Sequence, residues 1–425
     1  WNLAALVFAP IVVGNLVAGL PSVDLMRATG VAASMSSEYI FRQHRVWKED
    51  HRQGIFPVGP YSASHVPIVP ALSTANEYCA INDRMLRAFP KICTISTLPS
   101  PEKHFHITPD FERWITRFRN SVQRRIRKAI DAPSTSWLKR ISLRRKMFVK
   151  WEKLDKFRDW LHGLWKGPRP IEPCNDYVNA DFGPSFLATS KLLRRIMGMK
   201  KAQWNPWGAG PGNFAYAPGM SAEDIALWLR TAQDRGLTKW VMTDFERFDS
   251  SIHEDNMPPV VDLLRRLGWS KRRLKRLLRF CQQHEFISSS GIWVKRRGGV
   301  STGWPGTTVF NTLLNMCLIN TVCGRCGVSC FMCICAGDDS IIAIPPDQFF
   351  DSALFSDYGL KPKSRTSHDW RDVDFLSGRF YRVMPYFHAG RWLDIIHGPK
   401  VGKQLLKIGW DLKGQSRKDR DAKLK

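Results

Sequence analysis

Phe331-Met332-Cys333-Ile334-Cys335-Ala336-Gly337-Asp338-Asp339-Ser340-Ile341-Ile342-Ala343-Ile344 is the stretch on which the fold turns. Its two apolar runs, Phe331 to Ala336 and Ser340 to Ile344, predict paired strands, with Gly337 and Asp338 suited to the tight turn between them. Such a tip presents adjacent carboxylates, Asp338 and Asp339, as hard oxygen ligands of the kind that bind Mg²⁺. Taken singly, a Gly-Asp-Asp triplet is weak evidence and is far more often an ordinary turn with solvated acids.

A second acidic pair lies upstream, in Trp240-Val241-Met242-Thr243-Asp244-Phe245-Glu246-Arg247-Phe248-Asp249. The apolar and β-branched run predicts a strand ending near Asp244, with Asp249 beyond it where a helix can start. Carboxylates brought together from separate strands can hold paired metal ions roughly 3.5 to 4 Å apart, as phosphoryl-transfer chemistry requires. Surface acids beside an edge strand would give the same local pattern.

Between the two pairs runs Gly298-Gly299-Val300-Ser301-Thr302-Gly303-Trp304-Pro305-Gly306-Thr307-Thr308-Val309-Phe310-Asn311. This predicts a glycine-rich loop leading into a helix, with Phe310, Leu313, Leu314 and Cys317 on one face and Asn311 and Asn315 on another. Small residues let a backbone approach a ligand closely, and hydroxyls and amides can read a ribose.

In this order, Asp244/Asp249, Thr302-Gly303/Thr307/Asn311 and Gly337-Asp338-Asp339 resemble motifs A, B and C of viral RNA-dependent RNA polymerases. Three spaced patterns in sequence are far more specific than any one of them. Phe148 to Lys153, followed by Pro168-Arg169-Pro170-Ile171, is similar to the basic motif F of tombusvirus-like and nodavirus-like replicases of positive-strand RNA viruses. Tyr358 to Lys363 and Phe375 to Phe380 are looser matches to motifs D and E. Thr302 departs from the serine more usual in the family; it keeps the hydroxyl and adds a β-branch, which bears on loop mobility.

The composition suits a nucleic-acid partner. The 425 residues include 64 Lys+Arg against 38 Asp+Glu, a formal charge of +26. Basic residues cluster at Arg113, Arg117, Arg119, Arg124, Arg125, Arg127 and Lys128, and again from Lys139 to Lys146, with Trp114, Phe118 and Trp137 interleaved for stacking or packing. A solvated helix face or an RNA-binding tail without catalysis would carry the same run. Its position before the motif F match favours a template or nucleotide channel.

The chain is long enough for several subdomains around one cleft. The expected class is α+β, and the resemblance implies a polymerase right hand (fingers, palm, thumb) with an RRM-like antiparallel palm sheet backed by helices. Residues 1–100 are expected to form an N-terminal extension and part of the fingers. The fingers with motif F follow at 101–236, the palm at 237–380 with a fingers insertion near 265–297, and a short or incomplete thumb at 381–425. Helical patterns are expected between Pro258 and His284 and from Gln348 to Tyr358, stopped at Gly359.

Leu3 to Leu20 is apolar apart from Asn15, a length bordering on a membrane span, although Pro10 and Gly14 make a monotopic or buried segment equally plausible. A start at Trp1 suggests a processed or partial product, and the segment has no basic n-region of a signal peptide. Cys323, Cys326, Cys330, Cys333 and Cys335 are spaced closely enough to raise zinc, but read better as buried small hydrophobes in a reducing compartment. His51, His104, His106 and His253 form no recognisable ligand pattern.

The resemblance implies that Asp244 and Asp338, supported by Asp339, hold two Mg²⁺ ions, with Mn²⁺ as an alternative. It assigns the triphosphate to Arg169 with Lys150 and Lys153 nearby, and the ribose hydroxyls to Asp249 and Asn311 beside Thr302, Gly303 and Thr307. It leaves Lys361 and Lys363 as candidate proton donors to pyrophosphate. Expected partners are RNA template and product strand, NTPs, a host membrane through the N-terminal segment, and a second copy of the chain, at membrane-associated sites in the host cytoplasm. A reverse transcriptase fits the motif B match poorly. A basic RNA-packaging scaffold with an inactive polymerase-like core stays open.

Overall fold

The computed structural model describes residues 95, 96, 98, 105–131, 144–146, 148–149, 170–171, 173–199, 212–282, 284–287, 293–296 and 298–401. Helices α1 (Phe111–Ile115) and α2 (Asn120–Asp131) precede strands β1 (Arg144–Lys146), β2 (Phe148–Val149) and β3 (Pro170–Ile171) and the long helix α3 (Asp176–Ile196). Strand β4 (Gly212–Tyr216), helix α4 (Ala222–Asp234) and strand β5 (Lys239–Phe245) follow, then helices α5 (Phe248–Ser251), α6 (Pro258–Arg266) and α7 (Lys271–Gln282). The pair β6 (His284–Ile287) and β7 (Trp293–Arg296) comes before α8 (Thr307–Arg325), β8 (Phe331–Ala336) and β9 (Asp339–Ile344). Strands β10 (Pro362–Ser367), β11 (Asp374–Phe375), β12 (Gly378–His388) and β13 (Arg391–Pro399) complete the order.

The central sheet has the strand order β10-β5-β9-β8-β4. Its β10–β5, β5–β9 and β9–β8 pairs are antiparallel, while β4 joins β8 in parallel. The antiparallel sheet expected from the sequence is therefore corrected to a mixed one. The stretch between β4 and β8 includes several helices, long enough for the crossover that a parallel pair needs. The layer also takes in β4, which starts at Gly212.

Both faces of this sheet are covered, which is why β8 reads as a nearly unbroken apolar run rather than an alternation. Phe331, Cys333 and Cys335 enter one core with residues of α3, α6, α7 and α8, while Met332 and Ile334 enter another with α4, β12 and β13. Trp240 of β5 meets Trp228 of α4 with ring centroids 6.2 Å apart. The β12–β13 hairpin is pinned to α4 by His388 Nε2 against Asp224 Oδ1 (2.9 Å) and Arg391 against Asp234 (3.1 Å). Burial pushes the Cys317 thiol up to about 12, and Cys323, Cys333 and Cys335 are likewise enclosed, whereas Cys330 is exposed.

Local chemistry sets the element ends. Ser221 and Asp224 close a capping box at the start of α4. The helical run expected from Pro258 to His284 is split, because Gly268 (φ +94) ends the first helix with its backbone against Phe105 and His106. The helix expected from Gln348 is a shorter 3₁₀ turn, Ser352–Tyr358: Asp351 caps it by accepting from the Ala353 N–H (2.9 Å), and Gly359 (φ 78) stops it. Among the described residues no helix is long and apolar enough to cross a membrane. Leu3 to Leu20 and Lys413 to Lys425 lie outside the described residues.

Candidate active site

The Gly-Asp-Asp turn is where the sequence puts it. Ala336 pairs with Asp339, leaving Gly337 (φ 67) and Asp338 as a two-residue connection in which the first residue takes positive φ. Beside it, β5 and β9 pair Thr243 with Ser340, and the two buried side-chain hydroxyls bond to each other. One further step along these strands carries Asp244 and Asp339 to the same end of the sheet. Asp244 is exposed, and its Oδ1 accepts the Phe245 N–H at 2.8 Å; Asp338 and Asp339 are half-buried.

The chain reverses just after β5. Arg247 adopts a left-handed conformation (φ 55, ψ 47), uncommon for a residue with a Cβ, and α5 then returns Asp249 toward α8. Asn311 Nδ2 donates to Asp249 Oδ1 at 2.5 Å. Because a carboxylate only accepts, this bond fixes the orientation of the amide and turns Asn311 Oδ1 away. That oxygen is buried with no hydrogen-bond partner among the described residues. The glycine-rich loop is tied to the same place: Val300 N–H donates to Asp249 O (2.8 Å) and Gly299 N–H to Ile252 O (2.6 Å).

α8 reaches the acidic turn as well. Thr312 Oγ1 accepts the Gly337 N–H at 2.8 Å, and Asn315 Nδ2 donates to Gly337 O (3.1 Å) and Asp338 O (3.0 Å). Thr312 and Asn315 are fully buried, so these bonds form where water cannot compete. Neither residue was singled out as functional from the sequence. The available signal was the i, i+4 spacing of Asn311 and Asn315 on a largely apolar helix, since a buried amide needs a partner.

In the loop, Thr302 and Gly303 are exposed, and Thr307 Oγ1 donates to the carbonyls of Ser301 (2.8 Å) and Trp304 (2.9 Å), closing the turn. Trp304 anchors this loop in the core, with its ring centroid 4.7 Å from that of Phe186 on α3. Gly303 forms a bridge with Pro173, just after β3. Lys150, Lys153 and Arg169 lie outside the described residues, but the strands beside them converge, with Phe148 paired to Ile171 and Val149 to Pro170.

On the other side of β5, Lys363 of β10 pairs in register with Asp244. Glu246 meets Lys361 Nζ at 3.0 Å and Lys363 Nζ at 3.9 Å. The Lys361 bond, with further help from both lysines and Arg247, holds the Glu246 carboxyl below its ordinary value despite partial burial. Among the described residues no three His, Cys, Asp or Glu side chains are gathered into a ready metal cage. The donor chemistry of Asp244, Asp338 and Asp339 nevertheless suits Mg²⁺, which takes only one or two carboxylates and completes its shell with water and substrate phosphates.

Residues 220–397 match the family model described as viral RNA-dependent RNA polymerase, a span that holds every site residue named above except those of motif F. Over that stretch, less than half of the chain, the sequence is similar to the polymerase domain of this family. A solved structure, the insertion-loop deletion mutant of the RNA-dependent RNA polymerase of a human picobirnavirus, is similar at 19% identity over 50% of this chain, with a TM-score of 0.38. The chain spans 40% of that polymerase's length.

Proposed function

We propose that this chain synthesises RNA on an RNA template by nucleotidyl transfer, with the acid end of the central sheet as its reaction centre. The observation that carries the reading is the hydrogen-bonded meeting of three separated segments: Asp249 with Asn311, and Thr312 and Asn315 with the Gly337-Asp338 turn. Such a meeting couples a nucleotide-reading pair to a pair of acids through one helix. Asp244, Asp338 and Asp339 would hold Mg²⁺, which supplies charge neutralisation for a triphosphate and a lowered pKa at a strand's 3′-hydroxyl. Mn²⁺ would serve in its place.

The chain's own residues supply the remainder. Asp249 and Asn311, held together by their hydrogen bond, are assigned to the ribose hydroxyls, so a deoxyribonucleotide would leave that pair without its partner. The exposed Thr302 and Gly303 line the approach, with Thr307 holding their loop closed. Lys150, Lys153 and Arg169 are assigned to the triphosphate, and Arg169 suits it best because a guanidinium can pair with two oxygens at once. Lys363, across from Asp244, is the favoured proton donor to the leaving pyrophosphate, with Lys361 as the alternative.

The finer assignments belong to the same proposal. A positive-strand genome of the tombusvirus-like or nodavirus-like kind rests on the resemblance of residues 148–153 and 168–171. The right-hand arrangement is kept, with residues 1–100, 101–236, 237–380 and 381–425 as extension, fingers, palm and thumb, and with host membranes as the site of action.

Purified chain given an RNA template, NTPs and Mg²⁺ should extend RNA and discriminate against dNTPs, and Asp338→Ala should abolish synthesis while binding RNA nearly as well. Equal inertness of the two proteins, with RNA binding intact, would favour the scaffold reading. Efficient dNTP incorporation would favour a reverse transcriptase.

A further inference from the structure

A cavity of about 460 Å³ opens on the side of α3 turned away from the loop that carries Thr302 and Gly303. Phe182, Phe186, Thr189 and Leu193 face the core, where Phe186 meets Trp304, while Pro184, Ala188, Lys191 and Arg195 lie about half a helical turn round. The opposite wall is the segment from His106 to Arg113. Its position separates the cavity from the acid end of the sheet by the thickness of α3 and the core beneath it.

Its lining has two chemistries. Ile107, Pro184, Leu187 and Leu192 make an apolar floor, and Arg113, Lys191 and Arg195 make an exposed cationic rim. Asp110 is the one carboxylate in the lining, and its Oδ1 is engaged as the cap of α1, accepting the Arg113 N–H at 2.9 Å. The Lys191 ammonium sits below its ordinary value, first through desolvation and then through the guanidiniums of Arg113, Arg117 and Arg194, which outweigh the opposing pull of Asp110. Three cations facing a single carboxylate that is already engaged as a helix cap favour an anion between them.

The walls are fixed before any ligand arrives. Trp114 of α1 is buried against Gly183 of α3, where a Cβ would come within 2.3 Å of the indole. The backbone at His106 rests on Gly268, where a Cβ would lie 3.0 Å from the His106 Cα. A preformed concavity with an apolar floor and a few convergent charges is the usual form of a small-ligand site.

We propose that this cavity binds a nucleoside phosphate, with the base on the apolar floor and the phosphate among Arg113, Lys191 and Arg195, as a second nucleotide contact outside the carboxylate site. The ligand is either one unit of a single-stranded RNA or a free nucleotide, which share this chemistry. The ribonucleotide identity rests on the proposed polymerase function; the anion-binding character does not.

The test uses the full chain bearing Asp338→Ala, so that no turnover intervenes. Photocrosslinking with a 4-thiouridine oligoribonucleotide and, separately, with 8-azido-ATP is followed by peptide mapping. Label on the 105–113 or 184–195 stretches is expected; label from the oligonucleotide alone identifies a strand, and label from the azido nucleotide alone identifies a free nucleotide. Lys191→Glu with Arg195→Glu should remove that label and weaken binding of the ligand that gave it at least about ten-fold; for a strand, the salt slope should fall by about 0.7, for the one phosphate held there. The neutral pair Lys191→Gln with Arg195→Gln should show a smaller loss in the same direction, which guards against misfolding of the charge-reversed protein. Absence of label from both stretches, or affinity within two-fold of the parent in both variants, overturns the proposal. Because these readouts are binding only, either outcome leaves the nucleotide-incorporation assay free to stand or fall by itself.

Discussion

The acid end of the central sheet and the cationic rim on α3 carry opposite charges and are held in place by opposite means. Asp338 rides on a turn clamped by fully buried neutral groups, Thr312 and Asn315, and Asp249 is oriented by a buried amide. Arg113, Lys191 and Arg195 are exposed and owe their grouping to the helices beneath them. The acid end is thus built for positional accuracy and the rim for field strength. Damage to the first should appear in rate at fixed RNA affinity, and damage to the second in affinity and its dependence on salt.

The sharpest way to break that contrast is at the acids. Asp244→Asn or Asp338→Asn should lower the rate of nucleotide incorporation by about 10³-fold or more, equivalent to about 4 kcal/mol of transition-state stabilisation. Single-turnover kinetics with pre-bound RNA reads this directly, and RNA affinity should change less than two-fold. A parallel fall in affinity would erase the distinction between the two regions.

A smaller effect is expected one step back, in the clamp. Asn315→Leu removes the donor to two carbonyls of the acidic turn, and Thr312→Val removes the acceptor for the Gly337 N–H. Each leaves buried groups unpaired at about 1–3 kcal/mol, which should appear both as lowered thermal stability and as a loss of about 10- to 100-fold in kcat. Thr312→Ser keeps the hydroxyl and should recover most of the rate. If stability falls while the rate per folded molecule is unchanged, the clamp is structural only.

Sugar selection comes next. Asp249→Ala frees Asn311 from its fixed orientation, and the preference for NTP over dNTP should drop by about 10- to 100-fold, corresponding to about 1.5–3 kcal/mol for a hydrogen bond to a charged group. Competition between labelled UTP and dUTP on one template measures it. An unchanged ratio would remove this pair from ribose recognition.

How much of this was legible in the sequence follows from the range of the interactions. The hairpin from Phe331 to Ile344 was readable because strand runs and a two-residue turn are local chemistry, and its observed strands differ from the reading only at Asp339. The meeting of Asp249 with Asn311, and of the same helix with the acidic turn, was visible only through the order of motifs, since residue spacing by itself contains no tertiary partner. Helical periodicity set Asn311 and Asn315 on a separate polar face, yet the face is buried, because it looks at the hairpin rather than at water. The parallel edge strand β4 was missed for the same reason: Gly212 to Tyr216 says nothing locally about pairing with Phe331 to Cys335. The expected helix from Gln348 failed on a local conflict, in which Asp351 capping Ala353 started the turn late.

The mildest perturbation lies at the junction of the two charge classes, where Glu246 stands between Lys361 and Lys363 at the edge of the acid end. Its carboxyl is held below its ordinary value first of all by the Lys361 bond, so its contribution to stability is fully present above the unfolded-state value and is lost as pH falls through the lowered folded value. Both lysines are well exposed, so solvent screening reduces the effect to about a few tenths of a kcal/mol. Glu246→Gln should therefore melt slightly below the parent at neutral pH, the gap closing as pH falls through the lowered folded value, where the parent's carboxyl is itself protonated. Substitution of the lysines separates the two candidate proton donors. Lys361→Ala should carry the loss of incorporation rate if Lys361 is the donor, whereas if Lys363 serves, paired in register with Asp244 and farther from Glu246, Lys363→Ala should carry it and Lys361→Ala should leave the rate nearly unchanged.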